Sequence, residues 1–382
     1  MKKVFGLIGV TMLAALAIFS MIACDNGGVT LSPEPEIVID ETVTQLSRFA
    51  DIRGGPFSNY PRGRAYRESQ YNIDDIITFS FNEWTVLLGS RDFQAQVMES
   101  GKNPGLGVRA LHSQGITGKG VNVAIIDQNL ALTHPEYKNK IAAYHDVGTN
   151  QSSNQGSMHG PAVASLLVGD KCGTAPGAKL YFAAAPSWTL DSKYQADALR
   201  WIISENEKLP NGNKIRVVSV SAAPSGPGTP FTKNTEQWDI AVAEAQAAGI
   251  LILDCRENNK TGLISQAYLD LNYPDDITLI RPGSPSSGPF NDRQKIYVPA
   301  SRRTVAEEYS AGATSWTYWG VGGLSWTIPY AAGVLAMGWQ VNPHLGNDEI
   351  VALLFMTAYV NTEGYQFINP PAFIEAVKAT LR

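Results

Sequence analysis

Histidine is where the chemistry of this sequence is best sought first, because the chain contains only 5 of them. An imidazole has its ordinary pKa close to neutral pH, so it is the commonest general base. His159 precedes Gly160 and a segment whose apolar residues, Val163, Leu166 and Leu167, have the spacing of a helix. We therefore expect its ring at a helix start, facing outward from a sheet, although a histidine placed there more often has a structural role.

An aspartate and a serine have equally suitable positions. Asp127 directly follows the largely apolar run 121–126, so it is expected at the end of a buried strand. Ser325 follows Gly322 and Gly323 and precedes an apolar helical segment, which would place its hydroxyl where a helix dipole favours an oxyanion. Taken alone, Asp127 could be a hydrogen-bonded cap of the sheet edge and Ser325 an ordinary helix N-cap.

A fourth candidate is Asn258, which follows the apolar run 249–254. Its amide could donate to an oxyanion, or it could be a turn residue. The four candidates occur in the order Asp, His, Asn, Ser, which differs from the Ser–Asp–His order of α/β-hydrolases and the His–Asp–Ser order of chymotrypsin-like enzymes. Together they predict a catalytic triad of Asp127, His159 and Ser325.

The elements that would position these residues follow an alternating pattern. Strand-like runs at 121–127, 179–184, 215–221, 249–254 and 295–299 are mostly separated by helical patterns at 161–169, 195–207 and 237–248, and further helices are predicted at 326–340 and 348–358. Apolar strands alternating with helices predict a doubly wound α/β fold, with a mostly parallel sheet covered on both faces. Such sheets place their sites at the carboxyl ends of strands.

In these segments the sequence resembles the subtilisin family of serine proteases (subtilases, peptidase family S8) over most of residues 105–380. The resemblance is carried, in order, by 110–118, 127–136, 159–169, 173–176, 218–221, 249–258 and 323–333. It implies peptide-bond hydrolysis through an acyl-enzyme, with Ser325 as nucleophile, His159 as general base and Asp127 orienting the imidazole. It also implies that Asn258 binds the oxyanion and that Ser221, Ala222 and Ala223 pair with an extended peptide.

The sequence departs from the family pattern at several places. Leu324 and Trp326 flank the serine where the family has threonine and a small or flexible residue. Arg256 and Glu257 stand where it typically has Ala-Gly, so we predict that large aromatic P1 residues are poorly accepted. The stretch from His159 to Gly173 lacks the family's inserted calcium loop, so we expect no cofactor and no strong calcium site there.

The N-terminus has the pattern of an export signal. Lys2 and Lys3 precede an apolar run that ends in Ala23-Cys24, which resembles the lipobox of bacterial lipoproteins. We expect residues 1–24 to be a signal peptide, with acylation of Cys24 anchoring an exported protein to the cell-envelope membrane, and 25–43 to be a tether. A plain signal peptide or an anchor helix are the alternatives.

Residues 44–104 contain an alternating, strand-like run at 76–81 and a helical pattern at 91–100, but no recognisable chemistry. They would pack on the peptidase domain, residues 105–382, or serve as a pro-region. Cys172 and Cys255 could form a single disulfide, but two free, mostly buried thiols are expected.

Composition limits the partners. A net charge of −5 gives no reason to expect nucleic acid, and 44% hydrophobic with 17% charged residues is ordinary for a folded protein. We therefore predict a monomeric, membrane-anchored serine endopeptidase acting on protein or peptide substrates. The alternatives are a subtilisin-fold lipoprotein that binds peptides or proteins through an impaired site, and a lipid esterase, which the residue order disfavours.

Overall fold

The fold is known from a computed structural model, which describes residues 37–55, 63–149, 157–256, 264–289, 292–310 and 313–381. The predicted signal peptide, Cys24 and Asn258 lie outside these ranges. Within them, no helix combines the length and the apolar character that a membrane crossing requires.

Helices within these ranges begin and end as follows: α1 Arg91–Ser100, α2 Val108–Ser113, α3 His159–Val168, α4 Lys193–Lys208, α5 Thr235–Ala247, α6 Leu324–Val341, α7 Asn347–Met356 and α8 Pro370–Ala379. The strands are β1 Ile37–Ile39, β2 Gly63–Tyr66, β3 Ser80–Asn82, β4 Thr85–Leu87, β5 Asn122–Asp127, β6 Ile141–Asp146, β7 Lys179–Ala184, β8 Ile215–Val220, β9 Leu251–Asp254, β10 Ile264–Tyr268, β11 Arg281–Pro282, β12 Ile296–Ser301, β13 Arg303–Ser310, β14 Ala313–Trp319, β15 Tyr359–Val360 and β16 Gln366–Phe367.

A parallel sheet in the strand order β6-β7-β5-β8-β9 forms the centre of the fold. Along β5, Val123 and Ile125 face the side where α3 and α6 pack, while Ala124 and Ile126 face the side covered by α4 and α5. Both faces are apolar, which is why the strands are continuous hydrophobic runs rather than alternating ones. The predicted doubly wound α/β fold is confirmed.

The run 295–299 does form a strand, but its expected place in the central sheet was wrong. It is β12, which belongs to a second sheet in the order β11-β10-β12-β16-β15. Helix α6 contacts both β8 and β12, so it packs between the two sheets. The physical reason is that the described residues between β9 and β12 form the strands β10 and β11 and the 3₁₀ turn Ile277–Leu279, but no α-helix that could carry a parallel crossover back to the central sheet.

Residues 37–104, here called the N-terminal segment, pack against the peptidase domain. The strand expected at 76–81 was wrong: the chain forms a 3₁₀ helix, Ile73–Thr78, before the short strand β3. Ile76, Phe79 and Phe81 are all fully buried, and the three-residue step between the first two matches a 3₁₀ turn. The helix expected at 91–100 is α1. Strand β3 pairs with β14, so the segment extends a sheet of the peptidase domain.

Candidate active site

The aspartate and histidine of the predicted triad are in direct contact. Asp127 is the last residue of β5, and His159 is the first residue of α3. The imidazole Nδ1 lies 2.7 Å from the Asp127 carboxylate, which also accepts a hydrogen bond from the backbone N–H of Gln128 at 2.8 Å. The carboxylate side chain is only 4% exposed and the imidazole 21%, so the pair is shielded but reachable.

A glycine allows this contact. A Cβ at Gly160 would lie 2.4 Å from the carbonyl oxygen of Asn129 and 2.6 Å from that of Gln128. The start of α3 can therefore rest directly on the backbone that leaves β5 only because residue 160 has no side chain. This close approach brings the ring of His159 to Asp127.

The electrostatics of the pair suit a general base. Burial alone would lower the pKa of His159, but the charge of Asp127 and its hydrogen bond outweigh that effect, so the pKa lies above its ordinary value. With Nδ1 held by the carboxylate, Nε2 is the ring nitrogen left to exchange a proton with a substrate or nucleophile.

Ser325 is the second residue of α6. A helix leaves the N–H groups of its first turn without intrahelical acceptors, so the N–H of Ser325 can serve as a donor. Its carbonyl would normally accept from residue 329, but Pro329 has no N–H. The Ser221 hydroxyl donates to that carbonyl instead, at 2.7 Å, and so ties the end of β8 to the first turn of α6.

A small cleft of about 90 Å³ lies beside the Asp127–His159 pair, and Ser325 is not among the described residues that line it. Asp127 and His159 line it, together with Ser221 and Ala222 from the predicted peptide-binding run. Ala222 accepts a hydrogen bond from the N–H of Cys255 through its carbonyl, at 3.0 Å. The carbonyl of Ala223, the third residue of the run, accepts from the Thr229 hydroxyl at 2.6 Å. All three residues of the run are partly buried, and these hydrogen bonds hold the run to the rest of the protein.

The predicted hydrogen bond between Ser325 and His159 is not formed in this structure. Among the hydrogen bonds of the described residues, none joins the Ser325 hydroxyl to the His159 ring. Trp326 packs instead on the imidazole, with ring centroids 5.2 Å apart and planes inclined by 33°. Sequence reasoning noted Trp326 as a departure but missed this contact. It also missed the role of the Ser221 side chain, which the proline four residues after Ser325 could have indicated.

Arg256, on the strand end that leads to Asn258, is held in an ionic cluster. Its guanidinium lies 2.6 Å from the Asp254 carboxylate, 3.0 Å from that of Asp239 and 3.2 Å from the Ser225 hydroxyl. The hydrogen bonds from Cys255 to Ala222 and from Arg256 to Ser225 place this cluster next to the predicted peptide-binding run. Cys255 and Cys172 are both free, and burial raises the pKa of each thiol far above neutral pH, so neither is a ready nucleophile.

Among the described side chains, no group of three or more His, Cys, Asp or Glu residues is arranged to hold an ion. Helix α3 runs from His159 to Val168 and the chain then passes through a short turn to Gly173. The prediction that this stretch lacks a strong calcium site stays a prediction.

Comparison with known proteins places this arrangement in a family. The chain is 27% identical to subtilisin E of Bacillus subtilis (strain 168) over 260 residues, covering 65% of this chain and 63% of that protein. It is 27% identical to a subtilisin of Bacillus pumilus over 268 residues, covering 67% of this chain and 90% of that protein. The chain thus spans less than two thirds of the length of several of its curated relatives, subtilisin E among them.

Solved structures share the fold. One from a study of the assembly of subtilase cytotoxin SubAB superposes with a TM-score of 0.55 and 15% identity, covering 72% of this chain and 95% of that one. Fervidolysin from Fervidobacterium pennivorans, described as a keratinolytic enzyme related to subtilisin, gives a TM-score of 0.52 with 17% identity, covering 73% of this chain and 47% of that one. The family model of the Subtilase family matches residues 118–371, which is most of the chain, and this protein belongs to that family.

Proposed function

We propose that this protein is a serine endopeptidase that cleaves peptide bonds through an acyl-enzyme. The observation that carries the proposal is the 2.7 Å contact between His159 and Asp127 at the carboxyl end of β5, beside the helix start that carries Ser325. Membership of the subtilase family supports the same reaction class.

In the proposed mechanism, His159 Nε2 accepts the proton of the Ser325 hydroxyl as its oxygen attacks the scissile carbonyl. Asp127 holds the opposite ring nitrogen and stabilises the imidazolium that forms. The N–H of Ser325, at the start of α6, and the side chain of Asn258 donate to the oxyanion. His159 then protonates the leaving amine, and water, activated by the same ring, hydrolyses the acyl-enzyme.

Labelling with a fluorophosphonate probe tests the proposal, since the probe reacts only with an activated serine. We expect covalent labelling of the wild-type chain and none of Ser325→Ala or His159→Gln. Casein hydrolysis and a short-chain ester then separate a protease from an esterase. Absence of labelling in a folded wild-type protein would refute the proposed activity.

A second function, binding of peptides or proteins through an impaired site, has one specific observation in its favour. The imidazole of His159 is packed by Trp326, and no hydrogen bond connects it to the Ser325 hydroxyl in the described residues. The labelling experiment separates the two functions, because a binder would leave the probe unreacted but would still retain peptides on the cleft that Ser221 and Ala222 line.

Two finer features of the proposed enzyme follow. The cluster around Arg256 is adjacent to the peptide-binding run, and we propose that it makes the primary pocket narrow and charged. A peptide library in which Phe or Tyr is the best P1 residue would contradict this.

We also propose a monomer exported to the bacterial cell envelope and anchored through acylated Cys24. Cys24→Ser should lose the acyl mass and leave the membrane fraction.

A further inference from the structure

The N-terminal segment is joined to the peptidase domain by buried polar contacts as well as by apolar packing. The side-chain amide of Asn82, on β3, donates to the carboxylate of Glu307 at 3.0 Å, and both residues are buried. The hydroxyl of Tyr318 donates to the carbonyl of Ile77 at 2.8 Å. Removal of the segment would strip a buried carboxylate of a partner and leave the edge of β14 unpaired, both of which are costly.

Arg53 extends from this segment toward the site and is held firmly. Its guanidinium forms a two-point contact with the carboxylate of Asp51, at 2.9 and 2.7 Å, and its side chain is 10% exposed. The backbone beside it is also fixed, since the N–H of Ile52 donates to the carbonyl of Ser80 at 2.9 Å. A planar, paired guanidinium of this kind is well ordered for stacking on an aromatic ring.

The guanidinium lies on a series of rings that ends at the imidazole. Arg53 Cζ is 4.0 Å from the ring centroid of Trp319, Trp319 meets Trp326 at 5.9 Å, and Trp326 meets His159 at 5.2 Å. We call these four groups the aromatic row. Trp326 is only 4% exposed, so its position depends on its neighbours. Each contact is within the range of favourable cation–π or ring–ring packing.

His159 is the one residue of the aromatic row that also lines the cleft. The cleft is lined by His159 itself, by Asp127 and by the end of β8, and neither tryptophan lines it. The row therefore reaches the imidazole but does not line the cleft that would hold a peptide. Trp326 contacts the same ring whose Nδ1 meets Asp127.

We propose that Arg53 is a positioning residue for His159, supplied by an N-terminal segment that stays attached in the working protein. The catalytic consequence rests on the proposed function, whereas the contact and the attachment can be measured without it. A cation stacked on an indole holds that ring in place, and a displaced Trp319 would leave Trp326 and then the imidazole with more than one position.

The test compares Arg53→Ala and Arg53→Lys with Arg48→Ala. Arg48 is a matched control because it lies in the same segment, pairs with Asp75 at 3.2 Å and lies over Phe49, but does not belong to the aromatic row. The primary readout is the NMR signal of the His159 ring protons, assigned by its loss in His159→Gln. A neighbouring indole shifts such signals through its ring current, so the signal reports the position of Trp326 directly.

We expect Arg53→Ala to move the His159 signal and to lower kcat and the rate of fluorophosphonate labelling about threefold to tenfold, with KM unchanged. Arg53→Lys keeps the positive charge but not the planar guanidinium, so its signal and rates should lie between those of the wild type and Arg53→Ala. Arg48→Ala should match the wild type. An unmoved signal in Arg53→Ala, or equal changes in Arg48→Ala, would overturn the proposal.

Attachment is measured by the intact mass of the purified full chain and of Ser325→Ala. Both should retain the N-terminal segment, and the labelled wild-type molecules should contain it. Loss of the segment from the wild type but not from Ser325→Ala would identify it as a self-removed pro-region and overturn the proposal. If no labelling occurs at all, the proposed function fails, while the NMR signal and the masses still decide this inference.

Discussion

Replacing Ser221 by alanine tests whether its hydroxyl holds Ser325, the proposed nucleophile, in place. The hydroxyl donates to the Ser325 carbonyl at 2.7 Å, in a position that Pro329 leaves without its helical donor. A hydrogen bond of this kind contributes about 1 kcal/mol net, which corresponds to roughly a fivefold change in rate if it is lost where the serine must be positioned. We expect kcat to fall by that factor.

KM should change little in Ser221→Ala, because the backbone of Ser221 that would pair with a peptide is unaltered. Ser219→Ala is the matched control: it removes a hydroxyl two residues earlier in β8, and that hydroxyl has no hydrogen bond among the described residues. Its kinetics should resemble those of the wild type.

Repeating the Ser221→Ala substitution in a Pro329→Ala variant tests the same hydrogen bond independently. Pro329→Ala restores a backbone N–H that can donate to the Ser325 carbonyl, so Ser221→Ala should cost much less in that background than in the wild type. Steady-state kinetics on a peptide substrate, with the rate of probe labelling as a second measure, give the four values of this cycle. Equal losses in both backgrounds, or a loss in Ser219→Ala as large as in Ser221→Ala, would refute the reasoning.

Three further predictions follow from the same site. Gly160→Ala should lower the free energy of unfolding by about 1–3 kcal/mol and reduce activity at least tenfold, since its methyl group would displace α3 from the Asn129 carbonyl. Thermal unfolding measures the stability and steady-state kinetics the activity. A variant as active and as stable as the wild type would contradict this prediction. In the pH profile of kcat/KM, the acid limb should have its midpoint above about pH 6.5, because activity requires neutral His159 and Asp127 raises the pKa of that imidazole. Asp127→Asn should move the midpoint to lower pH. EDTA should leave activity and the melting temperature unchanged, whereas a loss that Ca²⁺ restores would show that a calcium site exists.

Much of the fold could be predicted from the sequence because its signals are local. The runs 121–127 and 179–184 are β5 and β7 within a residue, since short, continuous apolar runs that alternate with helical patterns are typical of strands buried on both faces. The failures have local causes too. At 76–81, apolar residues spaced by three and then by two resemble alternation, but the first three-residue step is a 3₁₀ turn.

For the candidate site, the sequence by itself determined which side chains are available and at which ends of elements they lie. Asp127 at the end of β5 and His159 at the start of α3 were expected from spacing alone, whereas their contact depends on the close approach of α3 that Gly160 permits. The oxyanion-binding role of Asn258 remains a prediction, as does the acylation of Cys24.

Only the tertiary structure decided which distant residues meet these side chains. The bond from Ser221 to Ser325 joins residues 104 positions apart, and the packing of Trp326 on His159 and of Arg53 on Trp319 likewise links separate segments. No periodicity encodes such contacts, because they depend on how whole elements pack and not on the spacing of residues within one element. The sequence thus determined the candidate reacting groups, and the packing of the N-terminal segment and α6 decided which side chains surround the imidazole.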